Sequence, residues 1–441
     1  MVGRRGDVAA PRRSIAILHY TAPPVVGGVE RVLGAHARLL ADAGHDVRVV
    51  AGRGGSADAR VAFVGVPLAD TRHPAILALQ VELAGGRVPA AFEGRVVELT
   101  AALRAALAGV DVVIAHNVAS LNANLALTAA LHAVAAGRAT PHLILWHHDL
   151  AWSQPSRRPA LHVGRPWDLL RSAWPGATQV TISEARRADL TRILGLPPGT
   201  IHVVPNGVDM AALLGLDERT AELARAAGLF AVDPLVLLPA RVTPRKNIEL
   251  ALRVVAAMRA GGRPHAGLVV TGPADPHDGA ADGYLVALLE LRRTLGLEGA
   301  ALFVAEDLGE PPDEALVRDL YRLADLLLLP SLDEGFGLPI LEAAAHRLPI
   351  VCSDLPALRD LAGDAATYVE PDADPGHVAA VALARLDADP VGALARRVRT
   401  EFSWEAVFRR GIAPLLEAAT VAVRTPRRPG PARGGTARSR R

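Results

Sequence analysis

Five short apolar runs in the second half of the chain limit its fold more than any other feature. They are LVLLPA (235–240), AGLVVTG (266–272), ALFVAED (301–307), ADLLLLPS (324–331) and LPIVCSD (348–354). None alternates apolar with polar, so each reads as a strand covered on both faces, the pattern of parallel sheets. Stretches of helical period separate them, at 247–260, 284–295 and 313–323. The first half repeats the scheme with SIAILHY (14–20), HDVRVVAG (45–52), DVVIAHN (111–117), HLILWHHD (142–149), QVTIS (179–183) and IHVVPNG (201–207). A helix is expected over 31–44, with Gly44 as its C-cap. Strand and helix alternating in two blocks predicts an α/β protein of two doubly wound, Rossmann-like parallel-sheet domains facing a central cleft.

A chain of 441 residues, half of them hydrophobic, has material for two such cores. The expected boundaries are a disordered basic arm at 1–13, a first domain at 14–205, a second at 206–400, a closing helix at 401–422 that crosses back to the first domain, and a disordered Arg/Pro/Gly tail at 423–441. The net charge of +2 conceals an uneven distribution: without the eleven arginines and one aspartate of the two ends, 37 basic and 45 acidic residues remain. The basic character therefore belongs to the ends and indicates no specific nucleic-acid partner. Cys352, the single cysteine, rules out an internal disulfide and closes an apolar run, which makes it a buried strand residue. No apolar run reaches the length of a membrane span, and no secretory leader is legible, so the expected location is cytoplasmic.

Ligands of doubly wound sheets bind beyond the carboxyl ends of the strands, so the chemistry is sought in the loops there. In SLDEGFGLPILEAAAH (331–346), Pro339 suits the first turn of a helix, and the amides around Gly335–Leu338 would sit at its positive end, ready for phosphate. Glu342, one turn inside, would be repelled by phosphate but can accept two hydrogen bonds from a ribose diol. Glu334, before the turn, would reach toward whatever the phosphate carries. A capping glutamate beside a solvated one is the plainer alternative. The loop PARVTPRKN (239–247) adds Arg241 and Lys246, cations able to neutralise a diphosphate without metal.

These two segments together resemble the retaining glycosyltransferases of family 4, with the GT-B fold. The spacing of Glu334 and Glu342 matches the family signature, as does the Arg241–Lys246 pair. Weaker similarity extends over GGVERVLGAHARLLADAGHDVRVV, WHHDL, VVPNGVD and FSWEAVFRR. The resemblance implies donor diphosphate binding by Arg241, Lys246, Gly28, Gly27, and the backbone of Phe336, Gly337 and Leu338. It implies ribose binding by Glu342, contact with the transferred sugar by Glu334, a reacting-centre role for His148, and a cleft-lining Asn206. His147 competes with His148, which is favoured because it directly precedes Asp149. The implied reaction moves a hexosyl group from a UDP-, GDP- or ADP-sugar, as co-substrate, to an acceptor hydroxyl with retained configuration, without cofactor or metal. The base contacts are expected near Val304–Leu308.

The acceptor would be a sugar, free, phosphorylated or lipid-linked, and the last of these would bring peripheral membrane contact. The segment 151–176 carries Trp152, Trp167 and Trp174 with Arg157, Arg158, Arg165 and Arg171. Tryptophan faces suit sugar stacking, and arginines suit a phosphate or carboxylate. A lid packed on the core is the alternative. An epimerase, a phosphorylase or a catalytically silent nucleotide-sugar binder on the same fold are the competing functions.

Overall fold

The structure, a computed structural model, describes residues 11–137, 141–273 and 281–424, with backbone alone at 281–282 and 420–424. Most of the expected arm and nearly all of the expected tail lie outside these residues. The chain divides into two compact units, Met1–Asn206 with Val407–Arg441, and Gly207–Ala406.

The first unit holds a seven-stranded parallel sheet of β1 (Ser14–Leu18), β2 (Asp46–Ala51), β3 (Val61–Gly65), β4 (Val112–His116), β5 (His142–His147), β6 (Thr178–Thr181) and β7 (Ile201–Val203), in the order β3-β2-β1-β4-β5-β6-β7. The second holds six parallel strands, β8 (Leu235–Leu238), β9 (Gly267–Val270), β10 (Ala301–Phe303), β11 (Leu326–Leu329), β12 (Ile350–Ser353) and β13 (Thr367–Val369), in the order β10-β9-β8-β11-β12-β13. Both sheets are doubly wound. Their strand order reverses between β1 and β4 in the first and between β8 and β11 in the second, which makes these two gaps the ligand-binding positions of such sheets.

The continuous apolar runs are explained by where alternate residues go. Val236, Leu238, Leu326 and Leu328 pack into one cluster with the helix Ile248–Ala260. Leu235, Leu237, Leu327 and Leu329 pack into another with the helix Glu314–Leu323. All eight are essentially inaccessible, and full burial of one such side chain contributes roughly 2 kcal/mol. Cys352 is fully buried, and burial pushes its thiol up to about 12, so it is a strand residue and no nucleophile.

Several local expectations are corrected. The run 301–307 is a strand only to Phe303, and Val304–Leu308 is a helical turn. The Asp307 carboxylate accepts the Phe303 N–H at 3.1 Å and Gly309 ends the turn in the left-handed region, so the chain curls where apolar character alone suggested extension. Strands β3 and β13 were not anticipated, because VAFVG and TYV are short edge strands with only partial burial. The closing segment is not one helix over 401–422. One helix ends at Phe402, and Ser403 adopts an extended conformation that bridges Val208. The chain then runs through Trp404–Val407, a π-turn at Phe408–Ile412, and the helix Ala413–Arg424. Within the first unit, a β-carbon on Gly411 would lie 2.7 Å from Val204 Cγ1, so only glycine permits that approach. Arg13, assigned to the disordered arm, donates instead to the Leu416 carbonyl.

Candidate active site

In the second unit, the loops following β8 and β11 leave adjacent strands at the point of reversal. A hydrogen bond from Leu332 N–H to the Arg245 carbonyl, 2.8 Å, ties them together. After β8 a short 3-10 turn, Pro244–Lys246, delivers Lys246 inward. Asn247 follows at φ +49°, anchored by its amide to the Pro371 carbonyl at 3.0 Å, and opens the helix Ile248–Ala260. After β11, Ser331 and Glu334 turn back toward Lys246. The Glu334 carboxylate pairs with the Lys246 ammonium and accepts the Ser331 hydroxyl at 2.8 Å, with Arg245 3.7 Å away. The Glu334 and Lys246 side chains are 7% and 10% exposed.

The two residues expected to act separately are thus paired with each other. Lys246 is not an unengaged cation, and Glu334 is not aimed freely at a ligand, because burial of either charge requires the other. Arg241 is exposed and has no partner among the described residues, so its guanidinium is available to an anion.

The helix Leu338–Ala345 begins at Gly337, φ +98°, and no side chain caps it. A β-carbon on Gly337 would also meet Leu358 Cδ2 at 2.5 Å, whereas one on Gly335 would meet nothing within 4 Å. Gly337 is therefore required by the fold, and Gly335 leaves open space over the loop. Replacing Gly337 by alanine is expected to destabilise by at least about 1 kcal/mol. Gly335→Ala should leave the urea midpoint unchanged, so any loss of nucleotide affinity there would report close approach of a ligand. Equal urea midpoints for the two variants would contradict this reading. Phe336 and Leu338 are 53% and 61% exposed, so it is their backbone that the fold positions.

Glu342 lies exposed on the same helix, and one carboxylate oxygen accepts the Tyr321 hydroxyl at 2.5 Å. Tyr321 is buried and stacks on His346 at 5.3 Å, and burial and then Glu342 push its phenol upward. Tyr321 was missed by sequence reasoning; it sits 21 positions away on another helix, and no local pattern marks it.

The first unit assembles a second cluster at its own reversal point. His19 follows β1, His116 ends β4 and His148 follows β5. His19 Nδ1 lies 2.8 Å from the His116 carbonyl, and His116 Nδ1 lies 2.9 Å from His148 Nε2, with the two imidazoles stacked. Asn117, at φ +58°, accepts the backbone N–H groups of His148 and Asp149 at 2.8 and 3.1 Å. The adjacent histidines diverge, because successive side chains leave a strand on opposite sides. His147 bonds Gln179 at 2.8 Å within the sheet, and His148 stands at the carboxyl edge. Sequence reasoning missed His19, His116 and Asn117, although all three fall in the last two positions of predicted strands.

Burial holds His148 down to about 3, His36 to about 3 and His147 to about 4. These histidines are neutral when folded and bind protons readily when unfolded. Their contribution is complete above pH 6.5 and is lost as pH falls toward 3, each by up to about 1.4 kcal/mol per pH unit. Melting temperature should accordingly drop between pH 7 and pH 5, and a pH-independent melt over that interval would contradict the buried neutral cluster.

Gly27 and Gly28 open the helix Gly28–Asp42. A β-carbon on Gly27 would fall 1.9 Å from a Glu30 carboxylate oxygen, and Glu30 accepts the Thr21 hydroxyl at 2.5 Å. This helix start is thus already occupied by Glu30, and Gly28 is the open position. Asn206 is exposed as the last residue before the division into units and joins neither cluster. Among the described residues, no group of three or more histidine, cysteine or acidic side chains is placed to hold a metal.

Two family models match the chain. One described as Glycosyltransferase Family 4 covers residues 26–212, and one described as Glycosyl transferases group 1 covers 233–387. Among curated proteins, the D-inositol 3-phosphate glycosyltransferase of Kineococcus radiotolerans is 30% identical over 257 residues, covering 53% of this chain and 57% of that one. The protein of the same name from Nocardia farcinica is 34% identical over 191 residues, covering 42% and 39%. The chain spans about half the length of the curated relatives it matches, or less. Among solved structures, a sucrose-phosphate synthase from Thermosynechococcus elongatus is 18% identical with a TM-score of 0.37, covering 93% of this chain and 100% of that one. Matched by these two models over its two doubly wound units, the chain belongs to the group 1 glycosyltransferases of family 4, with the GT-B fold.

Proposed function

We propose that this protein transfers a hexosyl group from a nucleoside diphospho-sugar to an acceptor hydroxyl, with retention of configuration and without metal. The observation that carries the reading is the joined pair of loops after β8 and β11, which gathers Lys246, Arg241, an uncapped helix start and Glu342 at one sheet edge. The helix amides, Lys246 and Arg241 neutralise the diphosphate, and Glu342 accepts the ribose hydroxyls. Charge that develops on the departing diphosphate is then met by groups already in place.

The bond from anomeric carbon to phosphate oxygen breaks as the acceptor oxygen bonds that carbon. The acceptor proton passes to the departing phosphate oxygen on the same face. A covalent route through Glu334 is disfavoured, because its carboxylate already accepts from Lys246 and Ser331. In the first unit, His148 presents a neutral imidazole suited to hydrogen-bonding a sugar hydroxyl.

A thermal-shift panel of UDP, GDP and ADP with their glucose, mannose and N-acetylglucosamine conjugates, run with and without EDTA, tests this. Stabilisation by one base, unchanged by EDTA, is the expected result. No shift with any nucleotide would overturn the reading, and a shift abolished by EDTA would overturn its metal-free part.

A further inference from the structure

The first unit contains a cavity of about 420 Å³ formed by the segments that follow β3, β4 and β5. Its twelve lining residues include two arginines, Arg72 and Arg157, and no acid. Among the described residues, neither guanidinium is paired with a carboxylate. Nearby Arg87, Arg165 and Arg171 each are, to Glu82, Glu93 and Asp168.

Arg157 is half-buried and held in a fixed orientation by neutral acceptors. Its Nε donates to Gln154 Oε1 at 2.7 Å and its Nη1 to Asn122 Oδ1 at 3.2 Å. Gln154 in turn donates to Asp149 Oδ1 at 3.1 Å, so the guanidinium is tied to the loop that carries His148. Trp167, also lining the cavity, has a buried indole N–H without a hydrogen-bond partner, and Gln80 adds an amide to the wall. A buried donor left unpaired is costly, and a fixed guanidinium without a counter-charge even more so. An oxyanion in the cavity would supply the counter-charge that the Arg157 guanidinium lacks.

We infer that this cavity binds the anionic group, a phosphate or a carboxylate, of the acceptor sugar. This rests on the transferase reading above and narrows it, by requiring a charged acceptor in place of a neutral one. Arg157 supplies the fixed donor and Arg72, exposed at the mouth, a mobile one. Trp167 and Trp174 take no part by stacking. Both are buried in the hydrophobic core, which corrects the sugar-stacking role expected of their faces.

The test is a calorimetric titration of the full chain, without nucleotide, with inorganic phosphate, glucose 6-phosphate, glucose, and phosphatidylcholine vesicles with and without phosphatidylinositol. Saturable binding of inorganic phosphate or of glucose 6-phosphate, with glucose at least tenfold weaker, is expected. Arg157→Gln and Arg72→Gln should each weaken it about tenfold, the loss of one charge-assisted contact. Arg171→Gln, outside the cavity, serves as the control and should bind as the parent does. Arg72 is exposed, so its variant remains informative if Arg157→Gln melts early. Preference for the phosphatidylinositol vesicles, lost in the same two variants, would support the proposal with a lipid as the source of the anion. Absence of binding in every arm, or equal binding by parent and both variants, would overturn it. Because no nucleotide is present, that failure is distinct from failure of the donor reading, which the nucleotide panel reports.

Discussion

Replacing Glu334 by alanine is expected to lower stability and turnover together while sparing nucleotide affinity. The Glu334–Lys246 pair is nearly inaccessible to water, so deleting the carboxylate leaves a buried ammonium without its counter-charge. Breaking such a pair costs about 3 kcal/mol, which urea unfolding would register directly. The double variant Glu334→Ala, Lys246→Met removes both charges and should regain most of that stability without regaining turnover. Recovery of stability without activity would show that the charged pair serves turnover and not folding alone. A Glu334→Ala protein with full turnover would remove Glu334 from the site, whatever its effect on folding.

Glu342→Ala should act in the opposite way. Glu342 is exposed and its neighbour Tyr321 is anchored by packing, so the melting temperature should change little. Two charge-assisted hydrogen bonds to a ribose diol would be lost, and affinity for UDP, GDP and ADP should fall by about a hundredfold alike. Loss of affinity independent of the base is the diagnostic outcome, since ribose is the part the nucleotides share. Tyr321→Phe removes the group that orients the carboxylate and should produce a smaller loss of the same kind. Unchanged nucleotide binding in Glu342→Ala would place the ribose elsewhere.

The residues proposed for the donor side lie where the sequence reading put them, at the carboxyl edge of the second sheet. Glu334, Lys246 and Arg241 sit in loops that directly follow apolar runs, with Glu342 one turn into the helix that one loop opens, and doubly wound sheets place such loops at the carboxyl edge. Tyr321, His19 and His116 were not legible as partners. Tyr321 reaches Glu342 from a helix that precedes β11, and His116 meets His148 from a strand 32 positions earlier, contacts for which no short-range spacing exists. The strand end at Phe303 was misread for a related reason. Apolar character marks burial, and only the Asp307 cap and Gly309 decide that buried Val304 belongs to a helical turn.

Periodicity and apolar runs dictated two parallel sheets, because a run without alternation is stable only when both of its faces are covered. Glycine at 337 was likewise dictated locally, by a left-handed backbone that other residues resist. Which charges meet was decided by the packed chain alone. Strand order in the second sheet brought β8 beside β11 and buried Lys246 against Glu334, 88 positions away, while packing in the first unit left Arg157 without a carboxylate among the described residues. Charge pairing depends on distance and burial, and neither exists until the sheet has set its order.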